Sequence, residues 1–395
     1  MGQEFEVMDF RDLKKQFEHI KEPIEKAIAE VISSAHFISG EQVHILESKL
    51  AEYTGAKHCI TCANGTDAIS IALLAYGVGA GDAVFVPDFT FFSSGECPAA
   101  VGATPVFVDV LPATYNISPV SLEQAIEKVI AEGELVPRAV IAVDLFGQPF
   151  VYPAICDICD KYSLLLLEDA AQGFGGHIAL PDGTVKMACT LGDIAATSFF
   201  PAKPLGCYGD GGAIFTDDDE IAILCRSIAV HGKDMRNPSD PDAKYHNVRI
   251  GMNSRFDTLQ AGVLLAKFPV FRDEELDAVN HVASLYSKML NSVEGLAAPT
   301  VLENYYSSWA QYTVQLPAGC DRKEVQKQLK EKGIPTNIYY IKPMHEQGAF
   351  SNTRSSIAEC PVTEELCERV LCLPIHPYLT DDEVLNVCDT LKNAI

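Results

Sequence analysis

The sequence predicts an α/β fold in which helices cover both faces of a mainly parallel sheet, followed by a smaller C-terminal α+β domain. Between residues 58 and 167, short apolar strands alternate with helical segments, which is typical of parallel sheets. After the first strand, residues 58–61, these strands are apolar throughout, and this indicates burial on both faces. After Pro299 the pattern changes, so we predict domains at 1–290 and 291–395.

The elements of the larger domain follow from the spacing of apolar residues. That spacing is helical over residues 10–34 and again over residues 41–53. Residues 66–75 are predicted as a helix, and apolar strands are predicted over residues 58–61, 83–86, 105–108, 139–143, 164–167 and 194–197. Residues 255–291 are predicted as one long helical stretch with a kink at Pro269.

The smaller domain is predicted to contain two strands and two helices. The strands cover residues 311–315 and 370–373, and the helices cover residues 322–332 and 381–392. Residues 231–247 lack periodicity and are predicted to form a loop, a candidate lid over a substrate.

The composition restricts the kinds of partner. The 395 residues are 48% hydrophobic, which is enough for a large core, and the formal net charge is −24. Such a charge repels phosphate backbones, so we exclude nucleic acid as a partner. The sequence starts without a signal peptide and has no membrane-spanning apolar run. With 13 cysteines, it predicts a soluble cytoplasmic protein with reduced thiols.

Two Cys-x-x-Cys pairs raise the question of a zinc site. Cys59 and Cys62 end a predicted strand, whereas Cys156 and Cys159 lie on a predicted helix. The gap between the pairs is far longer than in compact zinc modules. We therefore interpret these cysteines as small apolar residues that fill space in the core, and we predict no metal site.

The run SFFPAKPLG, residues 198–206, places Lys203 between two prolines directly after an apolar strand. Prolines fix the backbone there, and the glycines that follow allow sharp turns or close approach to a ligand. A lysine in a partly apolar setting has a lowered pKa and can attack a carbonyl as a neutral amine. A lysine in such a loop more often has no catalytic role, so this motif needs support from others.

Two strand ends supply that support. The run LLLLEDAAQ, residues 164–172, is an apolar strand that ends in carboxylates, and open α/β sheets bind ligands just outside such ends. Asp169 and Gln172 lie there. Asn64, Gly65 and Thr66 open a helix directly after another strand, where free N–H groups attract an anion. The alternative for this turn is an ordinary helix N-cap.

Together with Gly192-Asp193 and the run GDGG at 209–212, these stretches resemble the DegT/DnrJ/EryC1/StrS family. Its members are sugar aminotransferases that use pyridoxal 5'-phosphate (PLP) and have the aspartate aminotransferase fold, fold type I. The resemblance covers residues 10–377. It is closest to the branch of the UDP-2-acetamido-2-deoxy-3-oxo-glucuronate aminotransferases.

The resemblance implies a PLP site. In it, Lys203 bonds to the aldehyde of the cofactor and later moves a proton between substrate and cofactor. Asp169 lies beside the ring nitrogen, and a buried carboxylate there raises the pKa of that nitrogen. The other residues that the resemblance assigns to the cofactor in the same chain are Gly65, Thr66, Phe91, Gln172 and Ser198.

The resemblance also implies that each site is shared by two subunits. Asn253 would come from the neighbouring subunit and touch the phosphate of PLP, and Arg255 matches a residue near the substrate. The working unit would then be a homodimer. Tyr339 and Tyr340 match a sugar-contacting loop, although the closest branch often has His-Tyr there. His376 matches a family motif, but the sequence gives it no role and favours a core or surface histidine.

The implied function is transfer of an amino group from an amino acid, with L-glutamate the family's usual donor, to a keto group of a nucleotide-linked sugar. The product would serve polysaccharide or glycan synthesis. One alternative is a PLP-binding sensor or scaffold without turnover. Another is a PLP-dependent sugar dehydratase, which Lys203 disfavours because such relatives have histidine at this position. The sequence leaves open the sugar, the nucleotide and the ketone position, C3 or C4.

Overall fold

A computed structural model describes residues 8–236, 246–351 and 358–395. The middle of the predicted lid over residues 231–247 lies outside these ranges. The helices are α1 (Leu13–Ser34), α2 (Glu41–Thr54), α3 (Gly65–Ala75), α4 (Phe92–Ala100), α5 (Pro119–Glu132), α6 (Tyr152–Tyr162), α7 (Asp219–Ala229), α8 (Thr258–Val270), α9 (Leu276–Leu290), α10 (Arg322–Glu331), α11 (Pro361–Arg369) and α12 (Asp381–Ala394).

The strands are β1 (His58–Cys62), β2 (Asp82–Pro87), β3 (Thr104–Val108), β4 (Val136–Val143), β5 (Leu165–Asp169), β6 (His177–Ala179), β7 (Val185–Met187), β8 (Ile194–Ser198), β9 (Gly212–Thr216), β10 (Tyr305–Tyr306), β11 (Tyr312–Gln315) and β12 (Val370–Leu373). None of the helices within the described ranges has the length and apolarity to cross a membrane.

The large sheet has seven strands in the order β1-β9-β8-β5-β4-β2-β3. Neighbours from β8 to β3 pair in parallel, whereas β9 runs antiparallel to both β8 and β1. All strands except β9 therefore point the same way, and the prediction of a mainly parallel sheet is confirmed. Because the carboxyl ends of β5 and β8 lie side by side, Asp169 and Ser198 end at the same edge.

The strands read as continuous apolar runs because helices cover both faces of the sheet. Along β5, Leu167 packs into one buried layer with Ile141 of β4. The preceding Leu166 packs into the opposite layer with Val140. Side chains alternate across a strand, so an apolar residue at every position is needed when neither face meets water.

The helical stretch predicted over residues 255–291 forms, but with different bounds. It begins at Thr258, after an extended Asp257, and α8 runs through Pro269. A π-helical turn, Phe271–Glu275, follows directly and leads into α9. Proline lacks an N–H and crowds the carbonyl four residues earlier, so an irregular turn beside it is expected.

The C-terminal part contains its own core and is joined to the large sheet by a buried carboxylate. Strands β11 and β12 pair antiparallel, and their buried residues pack with those of α9, α10 and α12. Asp109, just after β3, accepts hydrogen bonds from the backbone N–H groups of Val362 (3.0 Å) and Thr363 (2.9 Å). These are N–H groups of the first turn of α11, which have no partner inside their own helix.

Replacing Asp109 should therefore destabilise the protein more than removal of an ordinary helix cap. We expect Asp109→Ala to lower the free energy of unfolding by about 2–3 kcal/mol, because buried N–H groups lose a charged acceptor. Urea unfolding of the ligand-free protein measures this change. Asp321→Ala, which removes the exposed cap of α10, is the matched control and should cost about 1 kcal/mol. Equal losses for the two variants would contradict the prediction.

Candidate active site

A cavity of about 390 Å³ lies at the carboxyl ends of β5 and β8, beside the N-terminus of α3. Its position is the one expected for a ligand of an open α/β sheet. Nine of the eleven site residues predicted from the sequence line it, namely Gly65, Thr66, Phe91, Asp169, Gln172, Ser198, Lys203, Tyr339 and Tyr340. The loop around residues 339–340 brings the C-terminal part of the chain against the sheet, so the cavity lies between the two.

Asn253 and Arg255 do not line this cavity. Both are exposed and lie just before α8, where Asn253 pairs with Val230 in an isolated β-bridge. The contact of Asn253 with the site of another subunit and the place of Arg255 near the substrate stay predictions.

Lys203 lines the cavity and lies on a loop whose backbone is held by two other side chains. The guanidinium of Arg11 donates hydrogen bonds to the carbonyl oxygens of Lys203 (2.9 Å) and Pro204 (3.5 Å). The buried ammonium group of Lys267 donates to the carbonyl of Gly206. Two cations from distant parts of the chain thus fix the backbone at the lysine and directly after it. Sequence patterns gave no sign of either contact.

The setting of Lys203 changes its acidity. Burial lowers the pKa of the Lys203 ammonium, the carboxylate of Asp169 opposes this shift, and the nearby cation Arg11 adds to it, so that the resulting pKa is about 8. An amine with this pKa is partly neutral near physiological pH and can act as a nucleophile or a base.

Asp169 is buried at the end of β5 and held in one orientation. Its carboxylate accepts hydrogen bonds from the hydroxyl of Ser94 (2.8 Å) and the backbone N–H of Ala171 (3.2 Å). Burial raises the pKa of Asp169, although these bonds and Lys203 oppose the rise. A carboxylate in this state is stabilised by a protonated partner inside the cavity.

The N-terminus of α3 forms a cradle for an anion. Asn64 caps the helix through a bond from Asp67 N to Asn64 Oδ1 (2.8 Å), so the N–H groups of Gly65 and Thr66 precede the helical ladder. A Cβ atom on Gly65 would lie 2.8 Å from the Cβ of Ser198, so only glycine allows this approach. The hydroxyl of Ser198 therefore lies beside the helix terminus.

Gln172 links the strand end to the C-terminal wall. Its Oε1 accepts a hydrogen bond from the N–H of Phe146 (2.7 Å), and its Nε2 donates to the hydroxyl of Tyr340 (3.2 Å). Burial raises the pKa of Tyr340 far above neutral pH, so its phenol stays protonated. Gln172 thus positions Tyr340 in addition to facing the cavity itself.

Two histidines of the C-terminal part lie outside the cavity. His345 is bonded through Nδ1 to the buried carboxylate of Asp88 (2.6 Å) and does not line the cavity. His376 is buried, and burial lowers its pKa to about 4, so it is a neutral core histidine as expected. Gln311 and Phe200, which the sequence did not single out, do line the cavity.

These groups fit PLP. The helix terminus with Ser198 suits its phosphate, the buried Asp169 suits a protonated ring nitrogen, and the amine of Lys203 suits its aldehyde. Phe91 is 54% exposed within the cavity lining and offers an aromatic face. A ligand with an anionic group, a basic ring nitrogen and a carbonyl would satisfy all of them.

Comparisons with known proteins agree with this chemistry. The model of the DegT/DnrJ/EryC1/StrS aminotransferase family matches residues 18–392. The chain is 43% identical over 389 residues to UDP-2-acetamido-2-deoxy-3-oxo-D-glucuronate aminotransferase from Pseudomonas aeruginosa, covering 98% of this chain and 100% of that relative.

Solved structures agree as well. A DegT DnrJ EryC1 StrS aminotransferase from Brucella abortus superposes with a TM-score of 0.91 at 43% identity, covering 98% of this chain and 99% of the other. NtdA from Bacillus subtilis with bound cofactor PMP superposes with a TM-score of 0.81 at 27% identity, covering 95% of this chain and 82% of the other. The predicted fold type I is confirmed.

The acidity of Lys203 is directly testable in the ligand-free protein. We expect its labelling by acetic anhydride to reach half its maximal rate near pH 8, because only the neutral amine reacts and the pKa is lowered to about 8. The rate should rise as pH increases through this value. Peptide mass spectrometry after labelling from neutral to alkaline pH measures the midpoint.

Two variants should shift this midpoint in opposite directions. Asp169→Asn should lower it by removing a charge that raises the pKa, and Arg11→Met should raise it by removing a nearby cation. A midpoint at about 10.4, the ordinary value for lysine, in the unmodified protein would contradict the structure.

Proposed function

The chain belongs to the DegT/DnrJ/EryC1/StrS aminotransferase family, whose members depend on PLP, and from that membership we propose that it transfers an amino group from an amino acid to the keto group of a nucleotide-linked sugar. The observation that carries this proposal is the pairing of a low-pKa lysine with a buried carboxylate in one cavity. Lys203 and Asp169 are close enough for each to shift the pKa of the other.

PLP, when bound, supplies an electron sink that lets a carbon next to nitrogen lose its proton. Asp169 would keep the ring nitrogen of that group protonated. The residues that would hold the rest of the group are Gly65, Thr66 and Ser198 for its phosphate, Phe91 for its ring face and Gln172 for its ring oxygen.

Lys203 would carry the proton. Its Nζ is partly neutral near pH 8, so it can accept a proton from one carbon and return it to another without a large energetic penalty. The hydrogen bonds from Arg11 and Lys267 to the loop keep Nζ within the cavity during this transfer. Lysine rather than histidine at this position favours amino transfer over dehydration.

For the substrates we propose a UDP-linked 3-keto sugar and L-glutamate. Similarity to a UDP-2-acetamido-2-deoxy-3-oxo-D-glucuronate aminotransferase over the whole chain supports the sugar. Tyr339 and Tyr340 on the C-terminal wall and Arg255 would contact it. The product would enter polysaccharide or glycan synthesis. We place the enzyme in the cytoplasm, because all 13 cysteines are free thiols, which suits a reducing compartment.

We also propose a homodimer in which each site contains Asn253 and Arg255 of the partner chain. Support comes from apolar side chains that a single chain leaves uncovered. Phe200 is about half exposed at the rim of the cavity lining, and Ile250, three residues before Asn253, is 94% exposed. Burying such residues against a second copy removes apolar surface from water.

The activity is tested with glutamate and a panel of UDP- and dTDP-linked keto sugars. We expect a new amino sugar, seen by mass spectrometry, with the PLP-loaded protein and none with Lys203→Ala. Lys26→Ala, on the exposed face of α1, serves as the control. A protein whose PLP absorbance persists with every amino acid would be a sensor. Loss of water from the sugar without gain of nitrogen would indicate a dehydratase.

The shared site is tested by mixing two inactive or weakened variants. Lys203→Ala and Asn253→Ala chains damage different halves of a shared site, so a mixed dimer contains one intact site. Random exchange at equal amounts should restore about a quarter of wild-type sites. Specific activity before and after exchange in mild denaturant measures this recovery. If the mixture shows only the average of the two parents, each site belongs to one chain.

A further inference from the structure

We propose that the side-chain amide of Gln311 accepts a hydrogen bond from the sugar substrate, from a hydroxyl or an N–H group on the ring. This inference rests on the proposed function and names a residue that selects the substrate. Gln311 immediately precedes β11 and lines the cavity.

The first observation is an acceptor without a donor. Across residues 8–236, 246–351 and 358–395, buried side-chain atoms that lack any hydrogen-bond partner are Gln16 Oε1, Thr114 Oγ1, Asp144 Oδ2 and Gln311 Oε1. Of these four residues, Gln311 lines the cavity that contains Lys203. An unpaired buried acceptor destabilises a protein, so a ligand that donates to it gives the arrangement a physical reason.

The second observation is that neighbouring polar groups already have partners. The amide of Gln172 is bonded to Phe146 and Tyr340, and the carboxylate of Asp169 is bonded to Ser94. A substrate that meets these groups must compete with existing bonds. The oxygen of Gln311 has no such competitor.

The third observation is that the backbone carrying Gln311 is fixed. Its N–H donates to the carbonyl of Phe146 (3.3 Å), and the N–H of Ser308 donates to the carbonyl of Gly147 (2.9 Å). A Cβ atom on Gly147 would lie 2.5 Å from the backbone nitrogen of Trp309, so the two segments touch directly. The backbone that carries the amide is therefore in place before a ligand arrives, which reduces the entropic cost of binding.

The location of Gln311 favours the sugar over the cofactor. The groups that fit PLP come from residues 65–203 at the sheet edge, whereas Gln311 comes from the C-terminal wall with Tyr339 and Tyr340. A buried acceptor that needs a donor also discriminates strongly, since a sugar without the matching group leaves it unpaired.

The decisive comparison uses Gln311→Met, which keeps the length of the side chain but removes both polar atoms, and Gln311→Glu, which keeps acceptor oxygens. Gln328→Met, on the surface helix α10, is the matched control. Calorimetry with UDP-N-acetylglucosamine and with UDP separates the sugar from the nucleotide, and stopped-flow absorbance follows the reaction of the PLP-loaded protein with glutamate.

We expect Gln311→Met to weaken the binding of UDP-N-acetylglucosamine by about tenfold or more. The binding of UDP and the reaction with glutamate should stay unchanged. The thermal midpoint of the ligand-free protein should not fall. Gln311→Glu should retain more of the sugar affinity. The inference would be overturned if Gln311→Met bound UDP-N-acetylglucosamine as tightly as the wild type does. It would also be overturned if the variant lost affinity equally for UDP-N-acetylglucosamine and UDP, or if its reaction with glutamate became slower. A wild-type protein that binds the sugar nucleotide but never reacts with glutamate would instead refute the proposed function.

Discussion

The chemistry of the cavity depends on one buried amine, that of Lys203, which stays partly neutral beside the negative charge of Asp169. Burial and the cation Arg11 lower the pKa of Lys203, while Asp169 raises it, and the balance lies at about 8. Stronger attraction to Asp169 would hold the amine protonated and unreactive. The guanidinium of Arg11 both tunes this balance and bonds to the backbone of the lysine loop, so electrostatics and geometry are set by the same group.

The sheet explains why these opposing groups meet. Strands β5 and β8 are parallel neighbours, so the residues that follow them emerge at one edge. The single reversed strand β9 returns the chain from the lysine loop alongside β8, and the N-terminus of α3 lies next to Ser198 through the small Gly65. Carboxylate, amine and anion cradle are therefore held by backbone hydrogen bonds, and little conformational freedom is lost when a ligand binds.

The C-terminal part forms one wall of the cavity. It contributes the tyrosines at 339 and 340 and the unpaired acceptor of Gln311, and it is fastened to the large sheet through Asp109 and Gln172. Because the cavity lies between the two parts, the proposed function would let the sheet edge keep one reaction while changes in the opposite wall alter the preferred sugar. The division of the chain at residue 290 remains a prediction.

By itself the sequence determined the mainly parallel sheet, since burial on two faces requires strands like residues 164–167 that are apolar at every position. It also determined the place of Asp169 and Lys203, because polar residues at the carboxyl ends of parallel strands meet at one edge. Only the tertiary structure decided the bond from Arg11 to the carbonyl of Lys203, 192 residues along the chain, and the unpaired oxygen of Gln311. Such contacts depend on how distant segments pack, and no local pattern of residues encodes that packing.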